Sequence, residues 1–320
     1  MGDFTVKRFF VRHSATRDSS ATKPASGTRA NGRKKVLAAA MVAATGLSIA
    51  ACGQGSDDGG VVKIGATEPE QKQWEAFKEE VKKLDFPVEV VSFSDYNTPN
   101  QALLDGSIDV NNFQHMLFLA QQNTGSGSNL VPIGATQIYT LGVYYKGHND
   151  LDSVAKAGEV AIPNDVTNQG RAIHVLSQAG LLKLKDNNIL VPTPADIDES
   201  ASKVKVVPVD AAQTSMSYLD GKPAVINNTF LTRAGIDPKS VIFHDDPNSP
   251  ESKPYINGFV TTEDRKDDPK LQKLVEVWHS EPVQKGLAEE TNGTAVPVRM
   301  SGPELNEVLQ DTEKKMKEQN

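Results

Sequence analysis

From Gly60 onward, short runs of β-branched and apolar residues alternate with stretches whose apolar residues recur at helical spacing. The two periods demand different elements, strands and amphipathic helices. Residues 61–66 predict a strand, and 69–84 a helix carrying Trp74, Phe77, Val81 and Leu84 on one face. Strands are expected at 88–93 and 108–110, and a longer one at 138–145. Between them, Thr98-Pro99-Asn100-Gln101 reads as a capping box with Pro at the first helical position. A second set begins near residue 146, with strands at 160–163, 204–209, 224–227 and 241–244 and helices at 168–179, 210–219 and 229–234. Gly180 and Gly235 stand where left-handed caps end helices, and Asp210 where a carboxylate opens one. A strand follows at 255–261. Asp268-Pro269 opens a helix with Leu271, Leu274, Val275 and Trp278 inward, and Ser301 to Glu304 is a capping box at the start of a C-terminal helix. Such alternation implies an α/β fold with mostly parallel sheets and right-handed crossovers. About 260 residues of it exceed what one core usually holds, so two lobes are expected. In such folds ligands sit at the carboxyl ends of strands, between lobes.

Charge divides the chain. Residues 1–51 hold nine basic and two acidic residues, net +7, whereas residues 52–320 hold 25 and 39, net −14. An acidic body argues against a nucleic-acid partner, which needs basic patches. The single cysteine, Cys52, excludes a disulfide framework and a Cys-rich metal site. Arg33-Lys34-Lys35 precedes sixteen uncharged residues, 36–51, too short for a lasting membrane span and typical of a secretory signal. Ile49-Ala50-Ala51-Cys52 resembles a bacterial lipobox, in which the chain is cut before a cysteine that carries acyl chains such as palmitate. Two or three acyl chains on one residue anchor stably. The expectation is therefore a signal peptide over 1–51 and a lipidated flexible tether over 52–60. One lobe takes 60–145 plus 254–320 and the other 146–253, all held at the extracytoplasmic face of the cell membrane. Residues 1–32, rich in Ser, Thr, Arg and Ala, run longer than a usual basic leader segment.

Catalytic signatures are missing: the sequence has no H-E-x-x-H, G-x-S-x-G, P-loop or G-x-G-x-x-G. The histidines are scattered, and His244-Asp245-Asp246 reads as an exposed loop rather than a metal site. No catalytic residue, metal or cofactor is expected. Three segments do stand out, each beginning where a predicted strand ends and running into a helix start. They are Ser94-Asp95-Tyr96-Asn97-Thr98-Pro99-Asn100, Asp109-Val110-Asn111-Asn112-Phe113-Gln114-His115, and Ile162-Pro163-Asn164-Asp165-Val166-Thr167-Asn168-Gln169-Gly170-Arg171. In the third, Arg171 lies in the predicted first helical turn, where free N–H groups and the helix dipole favour an anion over a cation. Two arrangements fit: a carboxylate ligand compensates Arg171, or Arg171 pairs at the surface with an acid such as Asp165. By spacing alone, Tyr96 and Phe113 fit ordinary packing, His115 a structural histidine, and Asn168 and Asn227 turn caps.

These segments, with Val225-Ile226-Asn227 and Pro254-Tyr255, resemble the methionine-binding lipoprotein family (the NlpA lipoprotein family) over residues 60–298. Its members are substrate-binding components of methionine ABC importers. The resemblance implies a two-lobed periplasmic-binding-protein-like fold of type II, with the ligand in the interlobe cleft. It implies a non-enzymatic, monomeric receptor that captures L-methionine or a related amino acid and delivers it to a permease with a separate ATPase subunit. Arg171 would then pair bidentately with the ligand carboxylate, with Asn168 and Asn227 adding hydrogen bonds. Tyr96, Phe113 and His115 would wall the side-chain pocket, where aromatic rings contact a thioether favourably. The chain departs from the family at Asn112, where a second Phe is usual, and at Leu117-Phe118, where Pro-Tyr is common. Those departures keep a methionine-containing dipeptide or another small anion open as cargo. An exported enzyme on this scaffold and a lipid-anchored scaffold protein are the rivals from other classes.

Overall fold

A computed structural model describes residues 60–319. The expected signal peptide, the tether and Cys52 lie outside the described residues. The chain opens with β1 (Val62–Ala66), α1 (Lys72–Val81), β2 (Val88–Ser92), α2 (Pro99–Leu104), β3 (Val110–Asn111), α3 (Met116–Ser126) and β4 (Leu130–Ala135). It continues through β5 (Gln137–Tyr139), β6 (Gly142–Tyr144), α4 (Leu151–Ala157), β7 (Glu159–Pro163), α5 (Val166–Gln178), β8 (Lys205–Val209), α6 (Ala211–Leu219), β9 (Ala224–Ile226), α7 (Asn228–Arg233) and β10 (Phe243–His244). It closes with β11 (Gly258–Thr262), α8 (Pro269–Trp278), α9 (Glu281–Thr291), β12 (Ala295–Pro297) and α10 (Gly302–Gln319). Among the described residues no helix is long and apolar enough to cross a membrane.

These elements make two lobes. One sheet has the order β2-β1-β3-β11-β4 and the other β10-β6-β9-β7-β8. The sheets are mixed rather than mostly parallel. β1 pairs in parallel with β2 and β3, and β7 with β8 and β9. The antiparallel partners β4, β11, β6 and β10 belong to the stretches where the chain crosses between lobes and returns. The strand expected at 138–145 is really two. β5 pairs with β12, and after Thr140-Leu141 the chain enters the second sheet as β6, three residues before 145. The return crossing runs from β10 to β11.

Each lobe has its own core. In the first, Trp74, Phe77, Phe259 and Trp278 are fully buried, with ring centroids 4.8–6.2 Å apart. Aromatic pairs at such offsets add to their burial. In the second, Val160, Ile162, Ile173, Leu176 and Val225 meet between β7, β9 and α5. The caps expected at Asp210 and Asp268 form, each carboxylate accepting a hydrogen bond from the main chain two residues on. Ser301 and Glu304 form their reciprocal box. The box expected at Thr98 does not. The Thr98 side chain caps nothing; Asp95 Oδ1 instead accepts from the N–H groups of Asn97 and Thr98 at 2.8 and 3.1 Å. An Asx turn three residues earlier has taken the cap's place.

Candidate functional site

The second lobe presents the carboxyl end of β7. There Asp165 caps α5, its Oδ1 accepting from the Asn168 main chain at 3.0 Å and from Asn168 Nδ2 at 2.9 Å. Burial raises the Asp165 carboxyl above the usual range despite these donors. Asn168 passes the network on, accepting from Asn227 Nδ2 at 2.8 Å. Asn227 is the residue before α7 rather than the end of β9, and its side chain serves Asn168 and not a cap.

Because α5 starts at Val166, Arg171 sits in its second turn, not the expected first. It is 5% exposed. Its partner is Asp245, not Asp165: Nε donates to Asp245 Oδ2 at 2.7 Å. Nη2 donates to the Tyr139 carbonyl at 2.8 Å, and the guanidinium lies 4.1 Å over the Tyr255 ring. The loop expected to be exposed is thus divided. His244 and Asp246 face solvent, while Asp245 turns inward and also accepts from the Leu141 N–H at 2.9 Å. Asp245 therefore joins α5 to both interlobe crossings. No spacing rule reaches across the 74 residues that separate it from Arg171.

The first lobe supplies an apolar wall. Asn100, Asn111 and Gln114 form a buried amide cluster with bonds of 2.6–3.0 Å, which fixes the strand-end segment carrying Phe113 and His115. Tyr96 stands 6.1 Å from Phe113, 6.3 Å from Phe118 and 5.3 Å from Phe230, centroid to centroid. His115 caps α3, its Nδ1 accepting from the Phe118 N–H at 3.1 Å. That bond places the ring proton on Nε2, a buried donor with no partner among the described residues. Burial, then the charge of Arg171, pushes the imidazole down to about 3.

Arg171, Asn168, Asn227, His115, Phe113 and Tyr96 all line one small cavity between the lobes, partly open to solvent. Sequence reasoning had overlooked Glu68, Tyr139, Thr229 and Asn257, which share it. Glu68 was within reach, since it lies two residues past the carboxyl end of β1. Its lining combines the charge of Arg171 with the aromatic rings of Tyr96, Phe113 and Phe118. Two atoms of its lining residues, His115 Nε2 and Asn227 Oδ1, are buried with no hydrogen-bond partner among the described residues. Such a surface suits a small molecule with one anionic and one apolar end.

The model of the NlpA lipoprotein family matches residues 62–299. The D-methionine-binding lipoprotein MetQ of Salmonella typhi is 38% identical over 267 residues, 82% of this chain and 97% of that one. The 1.7 Å crystal structure of protein PG110 from Staphylococcus aureus superposes with a TM-score of 0.74 at 40% identity, covering 78% of this chain and 99% of that one. A nutrient binding protein from Burkholderia cenocepacia, solved bound to methionine, superposes with a TM-score of 0.68 at 32% identity, covering 74% and 99%. The two-lobed α/β architecture is that of substrate-binding proteins, and this chain belongs to the NlpA lipoprotein family.

Proposed function

We propose that this chain is the lipid-anchored substrate-binding protein of an ABC transporter and that its cargo is methionine. The observation that carries the reading is Arg171, buried beside Asp245 yet lining a cavity that also holds the paired rings of Tyr96 and Phe113. Among the described residues, Nη1 and one Nη2 proton are left over from its bonds to Asp245 and Tyr139. These form the fork that takes the ligand carboxylate, which a lysine would not match. Asn168 and Asn227 lie beside the fork. The thioether lies among Tyr96, Phe113 and Phe118, and His115 offers its Nε2–H. A relative named for D-methionine binding and a nutrient binding protein solved bound to methionine support the cargo.

The lobes open about the crossings at Thr140-Leu141 and between β10 and β11. Ligand touches both lobes, so it binds the closed form better and shifts the population toward it. The closed form docks on the permease, and a separate ATPase subunit supplies the energy for release. The acyl chains on Cys52 keep the protein at the outer face of the membrane. No covalent chemistry takes place on this chain.

Thermal unfolding of the purified protein with both methionine enantiomers, the other amino acids and methionine dipeptides tests the cargo. A ligand at a hundred times its Kd stabilises by about 2.7 kcal/mol. Stabilisation by another compound and by neither enantiomer overturns the methionine assignment. Turnover of an ester or phosphate overturns the receptor reading. Cys52→Ser leaves the protein unacylated; a protein still in the membrane fraction overturns the anchor.

A further inference from the structure

Among the described residues lining the cavity, Glu68 is the only acid. It is 5% exposed, in the loop that leaves β1. Its Oε2 accepts from the hydroxyl of Thr67 and, across the lobes, from Thr229 Oγ1 at 3.1 Å. No hydrogen bond from the described residues falls on its Oε1. Arg233, the basic side chain nearest to it, has other partners. It donates to the carbonyls of Ser94 and Phe93 at 2.8 and 3.0 Å and to that of Thr67, and its Nε faces Glu70 at 3.5 Å. Burial accordingly pushes the Glu68 carboxyl up to about 7.

Charge balance says what this group is for. Arg171 is already neutralised by Asp245, so a ligand carboxylate brought to Arg171 adds an uncompensated negative charge to a cavity that holds Glu68. A ligand carrying an ammonium as well adds no net charge and brings a cation to Glu68, and a buried carboxylate with a free oxygen is costly unless such a cation meets it. We propose that Glu68 Oε1 accepts the hydrogen bonds of the ligand's ammonium group and thereby restricts the site to zwitterions. This rests on the reading of the cavity as a receptor for a small carboxylate-bearing ligand. The ammonium belongs either to a free amino acid or to the amino terminus of a dipeptide.

Calorimetric titration with matched pairs tests it. L-methionine is paired with 4-(methylthio)butanoic acid, its ammonium-free counterpart, and glycyl-L-methionine with N-acetyl-L-methionine. The other amino acids are paired with their own desamino acids. The wild-type protein is expected to prefer the ammonium-bearing member of its best pair by about tenfold or more, equivalent to about 1.4 kcal/mol. Whichever pair shows that preference identifies the source of the ammonium. Glu68→Gln keeps an acceptor for Thr229 and is expected to shrink the preference to about threefold or less without weakening the ammonium-free acid.

A pH profile of the wild-type protein needs no variant. The groups around Glu68 are Glu70 on its own loop, Tyr96 after β2, Tyr139 in β5 and Arg233 on α7, with His115 and Arg171 lining the same cavity. Burial raises both tyrosines and lowers His115 to about 3, so none of these three ionises between about pH 5.5 and 8.5. Affinity for the ammonium-bearing ligand rises with pH through about 7, as Glu68 loses its proton, and affinity for the ammonium-free acid does not. Equal weakening of both members by Glu68→Gln makes Glu68 a mere interlobe latch and overturns the proposal. So does a wild-type protein that binds both members alike, or binds only ammonium-free acids. A preference found for an amino acid other than methionine, and lost in Glu68→Gln, overturns the methionine assignment and leaves Glu68 standing.

Discussion

Arg171 cannot be removed without stranding Asp245. The pair is buried on both sides, 5% and 13% exposed, and a carboxylate left alone there costs about 3–5 kcal/mol. Arg171→Ala is therefore expected to lose both ligand binding and several degrees of melting temperature. Arg171→Ala combined with Asp245→Asn is expected to recover the melting temperature and not the binding. Calorimetry and thermal unfolding of the two variants separate the effects, and binding that survives in either removes Arg171 from the site. His115 gives a pH signature. Held down near 3 in the fold against about 6.5 when unfolded, it makes the unfolded chain bind more protons between those values. Stability through His115 is thus full above about 6.5 and falls as pH drops toward 3, by up to about 1.4 kcal/mol per pH unit. His115→Asn keeps an acceptor for the Phe118 N–H and should give a shallower acid limb in denaturant titrations at successive pH values; an unchanged limb means His115 is not buried neutral. At this scale much of the site was legible. Arg171 and the three strand-end segments announced themselves because strand ends and helix starts collect free N–H groups. Asp245 did not, because only the folded hinge brings it to Arg171.

At the scale of elements, α10 is the part that the family model does not reach. Leu305, Leu309 and Met316 are 0–5% exposed and pack with Leu117, Leu119 and Leu130 of the first lobe. Its last residue described, Gln319, accepts from the Leu190 N–H at 2.7 Å and donates to the Asn188 carbonyl, so the helix also touches the second lobe. Each buried side chain of this kind is worth about 1.5–3 kcal/mol. A chain ending at Met300 is therefore expected to melt on the order of 10 °C lower. An unchanged melting temperature would show that the helix is ornament to the fold and frees it for another role. Helices such as α8 were readable because their apolar residues keep one face. β5 and β6 were not separable, because the run from Ile138 to Tyr145 carries no proline and its single glycine, Gly142, is by itself compatible with a strand, so its division is imposed by pairing with β12 on one side and β9 on the other. The mixed sheets were missed for a similar reason. Strand direction at a crossing is set by which lobe the chain enters, and local periodicity is silent on that.

For the molecule as a whole, the lobes meet through contacts that need no ligand. Arg233 on α7 holds three main-chain carbonyls of the first lobe, Gln71 Nε2 donates to Thr232 Oγ1 at 3.2 Å, and Thr232 Oγ1 donates to Glu290 at 2.9 Å. Bonds from a guanidinium to carbonyls are each worth about 1.5–3 kcal/mol at most, less where solvent reaches them as it does here. They bias the equilibrium toward closure without fixing it, leaving ligand binding to complete the shift. Arg233 does not line the cavity, so Arg233→Ala removes no direct ligand contact and raises the cost of closing. The expected result is an affinity about tenfold weaker, a coupling of about 1.4 kcal/mol, with the loss in a slower productive closure rather than in selectivity among ligands. Small-angle scattering provides the direct measure. The radius of gyration should be larger for Arg233→Ala than for the wild-type protein, and saturating ligand should bring the two to the same value. If ligand leaves both unchanged, the lobes do not move about Thr140-Leu141, and capture by closure is wrong even though the cavity lies between them.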